Sequence, residues 1–298
     1  MRRHRLSPLF EPESVALFGA TEREGAVGRF IYENLLASGY AGRIGLVNPK
    51  HRTLFGQPVA ANAAKLPFAP ELAIVAAPAH AVESIVAECA ARGTRFVLVL
   101  SAGFAESGAA GRALQESLLA TSRRLGVRLL GPNCLGLIRP SIGLNASFAV
   151  GKVKDGRVAL VSQSGALVTA MIDWAIPAGI GFSSLVSLGS AIDLDFGELL
   201  DWFLFDDRTD SVLMYIEGVR DARSFMSSVR ALARVKPVVI MKAGRTADTA
   251  DRGGVARAIA SHSGALTGND RVFDAAIARA TPPRSAVSAV RPAFMMTT

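Results

Sequence analysis

The chain alternates short apolar runs with stretches of helical periodicity, and this rhythm limits the folds that it can adopt. Strand-like runs occur at residues 14–18, 43–47, 72–76, 96–100 and 128–130, and again at 157–161, 183–187, 211–216 and 237–241. Helical stretches lie between them at 27–37, 81–91, 109–125, 166–176, 196–205 and 222–235. Most strand-like runs are almost continuously apolar, which is typical of parallel strands covered on both faces. The pattern predicts an α/β fold with doubly wound parallel sheets.

The two series of strands and helices predict two domains. The glycine- and lysine-rich segment 151–156 separates them, so we place the boundary near residue 150. Residues 281–298 show neither periodicity nor helix caps, and a disordered or aberrant tail is expected there. The predicted domains are therefore 1–150 and 151–280, the second of which we expect to be incomplete.

The net charge of +8 does not by itself indicate a nucleic-acid-binding protein. Five of the positive charges lie near the two ends of the chain, where no acidic residue offsets them. They are Arg2, Arg3, Arg5, Arg284 and Arg291. Subtracting these five charges from +8 leaves +3 for the remainder, which at most suits a protein that binds small anions. We therefore expect no nucleic acid among its partners.

Cysteine usage and hydropathy predict a cytoplasmic protein without a membrane span. No apolar run approaches the roughly 18 residues that a membrane-spanning helix requires, and the basic N-terminus lacks the apolar region of a secretory signal. Cys89 and Cys134 form no C-x-x-C pair, so reduced thiols are expected. No metal site is predicted in this chain.

The first series of elements contains a turn suited to a phosphate-bearing ligand. Gly19, Thr21 and Gly28 lie in the segment that follows the first strand and opens a helix, where glycines allow close approach of a pyrophosphate. Their spacing is not G-x-G-x-x-G. The second strand ends in a basic segment with Asn48 and Lys50 instead of an acidic residue, which favours a phosphorylated ribose, as in coenzyme A or NADP. The alternative is that its cations are ordinary solvated side chains.

Two further segments are expected at the same edge of the first sheet. Pro78 follows the third strand and the segment 101–104 follows the fourth, so both lie at carboxyl ends of parallel strands, where open sheets bind ligands. Asn133 follows the fifth strand in a glycine- and proline-containing turn. That turn is equally compatible with a simple connection between domains.

The second series offers two helix starts that are rich in hydroxyl groups and glycine. One contains Ser162, Ser164 and Gly165, and the other contains Ser263 and Gly264. If both faced the same phosphoryl group, two helix dipoles and several N–H groups would stabilise it. Either segment can also be a plain helix-capping loop.

His262 lies within the second of these segments and is the only one of four histidines in a loop of small residues. A phosphate could reach its ring, and a carboxylate on the other ring nitrogen would fix the reactive tautomer. Glu217, just past an apolar strand, is the best-placed carboxylate for that task, with Asp193 and Asp195 as rivals. A local hydrogen bond of the imidazole, and a helix-terminal position for Glu217, are the alternatives.

The order of these motifs resembles the nucleoside-diphosphate-forming acyl-CoA synthetases, a superfamily that includes ADP-forming acetyl-CoA synthetase and the α subunit of succinyl-CoA synthetase. The resemblance runs from about residue 9 to residue 280 and is most specific at 162–165 and 261–264. It also extends to bacterial proteins that fuse this module to an ATP-grasp domain and an acetyltransferase. In some of those proteins the histidine is replaced and synthetase activity is lost, whereas His262 is present here.

The resemblance implies a Rossmann-like CoA-binding domain followed by a flavodoxin-like ligase domain. Acyl-CoA and phosphate would give acyl phosphate and CoA. His262 would then take the phosphoryl group and pass it to ADP on an ATP-grasp unit, with Glu217 orienting the imidazole. Ser162, Ser164 and Gly165 would cradle the phosphoryl group.

The chain departs from that pattern in lacking an ATP-grasp domain. ATP, ADP and Mg²⁺ would therefore bind only through an ATP-grasp partner. That partner would be a separate subunit, or a domain of a longer protein of which this chain is a truncated fragment. An oligomer is expected. Two other functions stay open at this point. One is a non-catalytic module that senses CoA or acyl-CoA, and the other is an NADP-dependent oxidoreductase.

Overall fold

The computed structural model describes residues 3–243 and the backbone of residues 286–288. These residues fall into two compact units. The first unit comprises 3–156 and 164–194, and the second comprises 157–163, 195–243 and 286–288. The fold is α/β, as the sequence predicted.

One sheet of seven strands lies entirely in the first unit, in the order β3-β4-β2-β1-β5-β6-β7. Its strands are β1 Ser14–Phe18, β2 Arg43–Val47, β3 Thr53–Leu54, β4 Gln57–Ala60, β5 Leu72–Val75, β6 Phe96–Val99 and β7 Arg128–Leu130. All neighbouring strands pair in parallel except β3 and β4, which are antiparallel. The five predicted strands agree with the structure to within one residue, whereas β3 and β4 are too short and polar to give an apolar run.

Four helices accompany these strands: α1 Ser7–Phe10, α2 Val27–Ala37, α3 Ala79–Ala91 and α4 Ala109–Leu125. Every residue of β1, β5 and β6 is buried, as expected for strands that are covered on both faces. Helix α2 buries Ile31, Tyr32 and Leu35 along one stripe. The apolar stripe of each helix therefore holds it on the sheet and fixes where its first turn lies.

The first unit also contains an antiparallel hairpin that the sequence did not predict, next to a strand that it did predict at 183–187. Strands β8 Gly136–Arg139 and β9 Leu144–Ser147 form a hairpin around the 3₁₀ turn Pro140–Ile142, and β11 Gly181–Ser187 pairs antiparallel with β8. Helix α5 Gly165–Ala175 precedes β11. All eight residues of β8 and β9 are buried, so the hairpin belongs to the core and is more than a connection between domains.

The second unit is built on parallel strands in the order β14-β13-β12-β10. Their bounds are β10 Lys154–Ser162, which enters this unit at residue 157, then β12 Ser211–Ile216, β13 Val238–Lys242 and β14 Ala286–Ser288. Helices α6 Phe196–Phe205 and α7 Ala222–Ala233 pack against each other through the rings of Phe196 and Phe225, whose centroids lie 6.0 Å apart. Asp195 and Asp221 cap these helices through the N–H groups of Gly197 and Ser224.

Two boundaries differ from the prediction. Strand β10 begins at Lys154, inside the polar segment that we took as a linker, because composition does not reveal backbone pairing. Strand β14 lies within 281–298, where a disordered or aberrant tail was predicted. Its three residues are too few to show a period, and it becomes a strand by pairing with β13. The remaining residues of that segment lie outside the described part of the chain.

Two properties of the described residues bear on the expected compartment. None of their helices is long and apolar enough to cross a bilayer. Cys89 and Cys134 are free thiols, and burial raises the pKa of each to about 12. Neither thiol is therefore a reactive thiolate at neutral pH.

The buried hydroxyl of Tyr40 gives a test of the first unit. This hydroxyl donates a 2.7 Å hydrogen bond to the carbonyl of Pro12, so Tyr40→Phe leaves that buried acceptor without its partner. We expect the free energy of unfolding to fall by about 1–2 kcal/mol in urea denaturation. Tyr32→Phe is the matched control, because Tyr32 is equally buried and its hydroxyl has no hydrogen-bond partner among the described residues. An equal loss in both variants would contradict the assignment.

Candidate functional site

The carboxyl ends of the first sheet's strands are linked into one edge by backbone hydrogen bonds. The N–H of Gly19 donates to Val47 O at 3.0 Å, and the N–H of Ala76 donates to Phe18 O at 2.9 Å. Gly19, Asn48 and Pro78 therefore follow the neighbouring strands β1, β2 and β5, as predicted for a shared edge. This is the position at which open parallel sheets bind ligands.

The turn between β1 and α2 has no room for side chains at two glycines. Gly19 has a φ of +87°, and a Cβ placed there would lie 2.5 Å from Ala76 O. A Cβ on Gly28 would lie 2.1 Å from Gly19 O. The first turn of α2 therefore packs directly on the backbone that leaves β1. Both glycines are required for this packing whether or not a ligand is bound.

Helix α2 begins in a way that suits an anion. Its N-cap is Ala26, with an extended backbone and no side-chain cap, so no side chain occupies the N–H groups of the first turn. Thr21 is half-buried in the preceding loop, and its hydroxyl oxygen accepts from Arg23 N at 3.2 Å. The helix dipole adds partial positive charge at this end of α2.

Asn48 connects the loop after β1 to the loop after β2. Its Nδ2 donates to Ala20 O at 2.8 Å, and its Oδ1 accepts from Lys50 N at 2.9 Å. The Asn48 side chain therefore stabilises both loops, and the ligand contact predicted from the sequence would be a second role. Lys50 and Arg52 are exposed beside it and place two cations at the end of β2.

Ser101 was not predicted as a site residue, although its segment, 101–104, was expected at this edge. The Ser101 hydroxyl donates to Ala77 O at 2.5 Å, and Asn133 N donates to Ser101 O at 3.0 Å. Asn133 is exposed and has a φ of +54°. Ser101 thus joins the loops after β5, β6 and β7. A hydroxyl directly after a buried strand was the available signal.

The segment 162–165 connects the end of β10 to the start of α5. Ser162 is fully buried opposite Tyr215 of β12. Ser164 is the N-cap of α5, because its hydroxyl oxygen accepts from Leu167 N at 3.2 Å. Gly165 opens the helix, one residue before the predicted start. The helix start is therefore present as predicted, while the Ser162 side chain lies inside the fold.

Glu217 follows β12 and has its main chain fixed. Both its N–H and that of Gly218 donate to Oε1 of Gln163, at 2.6 and 3.0 Å. Glu217 is exposed as a residue, but the protein atoms around its carboxyl remove part of the hydration of that group. This desolvation raises the pKa of the carboxyl above its ordinary value. Among the described residues, no hydrogen bond or ion pair to this carboxylate is found.

The two rival aspartates have structural partners. Asp193 accepts from Arg128 Nε at 2.9 Å and from Leu129 N at 2.8 Å. Asp195 caps α6 by accepting from Gly197 N at 2.9 Å, and burial raises the pKa of its carboxyl. Each aspartate therefore has a structural role within its own unit.

His262, Ser263 and Gly264 lie outside the described residues. The arrangement of their loop relative to Glu217 and to the start of α5 therefore stays a prediction.

Two family descriptions match the chain, one after the other. Residues 13–140 match a CoA binding domain, and residues 155–284 match a succinyl-CoA ligase like flavodoxin domain. The first match contains the glycine turn and the edge described above. The second contains Glu217 and also His262.

The relatives extend over nearly the whole chain. An ADP-forming acetate–CoA ligase I of Archaeoglobus fulgidus is 41% identical over 90% of this chain and 38% of its own length. The α subunit of the ADP-forming acetate–CoA ligase I of Pyrococcus furiosus is 39% identical over 91% of this chain and 58% of its own length. A solved acetyl-coenzyme A synthetase 1 of Candidatus Korarchaeum cryptofilum, in complex with phosphate and ADP, superposes with a TM-score of 0.83 at 34% identity, covering 92% of this chain and 58% of that one.

These matches agree in family and in the order of the two folds. The chain belongs to the nucleoside-diphosphate-forming acyl-CoA synthetase superfamily. It spans between about two fifths and three fifths of the length of the relatives described above.

The raised pKa of Glu217 predicts that this carboxylate reduces stability. A carboxyl whose pKa is higher in the folded state than in the unfolded state destabilises the fold at pH values above both, and the cost disappears as the pH falls below them. We therefore expect Glu217→Gln to raise Tm at pH 7, with the gain shrinking toward pH 4.

Glu116→Gln, at an exposed glutamate of α4, is the control because it removes the same charge. Scanning calorimetry across the pH range measures both variants. If Glu217→Gln left Tm unchanged or lowered it at pH 7, desolvation of this carboxyl would be ruled out as a cost.

Proposed function

We propose that this chain is the CoA-binding, α-type component of an ADP-forming acyl-CoA ligase, which is an acid–thiol ligase. The observation that carries the proposal is the succession of a CoA-binding and a succinyl-CoA-ligase-like domain over one chain. The glycine turn after β1, which has no room for side chains, supports it. The Archaeoglobus fulgidus and Pyrococcus furiosus relatives, which match 90% and 91% of the chain, are named as ADP-forming acetate–CoA ligases, which favours this function over a CoA sensor or an NADP-dependent oxidoreductase.

The edge of the first sheet fits coenzyme A. Gly19 and Gly28 leave the backbone after β1 free of side chains, and the uncapped start of α2 supplies N–H groups for a pyrophosphate. Lys50 would bind the phosphate on the ribose, while Thr21, Asn48, Pro78 and Asn133 would complete the walls. Coenzyme A supplies the thiol of the thioester, and these residues hold and orient it.

The reaction that we propose has three steps. A phosphate oxygen attacks the acyl carbon, the C–S bond breaks, and the sulfur leaves with a proton as CoA. A ring nitrogen of His262 then attacks the phosphorus of the acyl phosphate, and the P–O bond breaks to release the carboxylate. Finally the phosphoryl group passes from His262 to ADP on an ATP-grasp partner with Mg²⁺, which regenerates the free imidazole.

Residues of the second domain would hold this phosphoryl group. Glu217 would accept a hydrogen bond from the other ring nitrogen of His262 and so fix its tautomer. The cradle would consist of Ser162, Ser164, Gly165, Ser263 and Gly264. Because the Ser162 side chain is buried, its contribution would come from the backbone. The helix dipole of α5 would stabilise the dianion.

The proposed partner is an ATP-grasp subunit or domain, and the working enzyme would be an oligomer in the cytoplasm. Support for a separate subunit comes from the Pyrococcus furiosus relative, whose name identifies it as subunit α. The two free, buried thiols are compatible with a reducing compartment.

His262→Ala tests the phosphoryl carrier. We expect it to abolish acid-labile labelling of the chain by acetyl-CoA plus radiolabelled phosphate, or by labelled ATP when an ATP-grasp partner is supplied, because the nucleophilic nitrogen is gone. CoA binding, followed by thermal shift, should be unchanged. His80→Ala, at an exposed histidine of α3, is the control and should label like the wild type. Equal labelling in His262→Ala would refute the assignment.

Lys50→Glu tests the orientation of CoA. Reversing this charge should raise Kd for CoA about tenfold, because a charged hydrogen bond contributes about 1.5–3 kcal/mol. The Kd for dephospho-CoA should change less than about threefold, since it lacks the ribose phosphate. Lys65→Glu makes the same charge reversal at another exposed lysine and should affect neither ligand. Equal losses for the two ligands at Lys50→Glu would place the ribose phosphate elsewhere.

A further inference from the structure

Gln163 connects two loops of the second unit through a single atom. Its Oε1 accepts from the N–H groups of Glu217 and Gly218, at 2.6 and 3.0 Å, so both lone pairs of the amide oxygen are used. Its own N–H donates to Tyr215 O at 3.2 Å and extends the pairing of β10 with β12 by one residue. The backbone of Gln163 is thus anchored, and its side chain reaches past the end of β12.

These bonds provide the acceptor for the Glu217 N–H, while the preceding carbonyl, Ile216 O, accepts from Ala243 N at 3.0 Å. Glu217 lies after β12 ends at Ile216 and before α7 begins at Ala222, so neither a strand nor a helix fixes it. Two hydrogen bonds to consecutive N–H groups fix the peptide planes on both sides of its Cα. Together with the bond from Ala243, the amide of Gln163 therefore fixes the direction of the Glu217 Cα–Cβ bond.

We propose that Gln163 is a positioning residue that holds the Glu217 carboxylate in line for its partner imidazole. This inference rests on the proposed function, because it assumes that Glu217 orients the phosphoryl-carrying histidine. In this role Gln163 would act through the main chain of Glu217, whose N–H it binds, and would leave the carboxylate available.

The residue type fits this role. The position needs an acceptor with two lone pairs on a side chain long enough to cross from the end of β10 to the loop after β12, which a glutamine provides. A methionine has nearly the same length and shape but lacks a strong acceptor. A glutamate keeps the acceptor at the same place. These two substitutions therefore separate the hydrogen bonds from the packing of the side chain.

The first test measures the hydrogen bonds directly and does not depend on activity. In Gln163→Met we expect the amide hydrogens of Glu217 and Gly218 to exchange at least about tenfold faster in NMR experiments, because each loses its acceptor. Gln163→Glu should restore protection to within about threefold of the wild type. Gln115→Met is the matched control, since the buried Oε1 of Gln115 accepts no hydrogen bond in the described structure. Unchanged exchange in Gln163→Met would overturn the inference.

The second test asks whether Gln163 acts through Glu217. Gln163→Met should slow acid-labile labelling by acetyl-CoA plus radiolabelled phosphate about tenfold, with the Kd for CoA unchanged. In the double variant Gln163→Met/Glu217→Gln, labelling should be no slower than in Glu217→Gln alone, because the positioned group has already been altered. Fully additive losses, or wild-type labelling in Gln163→Met, would refute the positioning role.

The two tests separate this inference from the function on which it rests. If the wild-type chain is not labelled at all, the proposed phosphoryl transfer fails, whatever the amide exchange shows. If the wild type is labelled and Glu217→Gln is slow while Gln163→Met is normal, the function stands and the positioning role of Gln163 falls.

Discussion

Helix α2 can begin where it does because Gly19 and Gly28 carry no side chains. The α2 backbone at Gly28 approaches the carbonyl of Gly19 so closely that an added Cβ would lie 2.1 Å from its oxygen. An alanine could be accommodated only if the helix moved away from β1, and the N–H groups of its first turn would move with it. The packing of the first unit and the geometry of its anion site therefore depend on the same contact.

Beyond the strand ends, polar side chains replace the regular ladder of backbone hydrogen bonds. Asn48 joins the loops after β1 and β2, Ser101 holds the loop after β5, and Gln163 holds the loop after β12. Each uses an amide or hydroxyl group to bind backbone atoms that no neighbouring strand can reach. Loops fixed in this way can carry ligand-binding groups without losing their geometry on a rigid sheet.

The parallel strands were predictable because continuous burial leaves a continuous apolar run, as in β1, β5 and β6. The hairpin of β8 and β9 was not, because it includes buried polar residues such as Arg139 and Asn145. The terminal nitrogens of the Arg139 guanidinium donate to Ser184 Oγ at 3.0 Å and to Glu11 Oε1 at 3.1 Å, and Glu11 lies 128 positions away in sequence. Such long-range pairing leaves no local period from which the hairpin could have been predicted.

The residues of the candidate site likewise differ in whether the sequence could predict them. The glycine turn and the serine-bearing helix start were predictable, since their chemistry is local and follows directly from a strand end. The role of Gln163 was not predictable, although this residue lies inside the motif 162–165, because that role depends on a loop 54 residues away. Spacing within a motif indicates which backbone groups come together, but not which side chain supports a distant loop.

The three candidate carboxylates differ in what their oxygens bind among the described residues. Asp193 and Asp195 use their oxygens on Arg128, Leu129 and Gly197. At Glu217 the main chain is bound instead, and desolvation raises the pKa of its side chain. A carboxylate with a higher pKa is a more basic acceptor and so binds the N–H of an imidazole more strongly. We expect the same desolvation to reduce the stability of the folded chain, a balance that suits the chemical role proposed for Glu217.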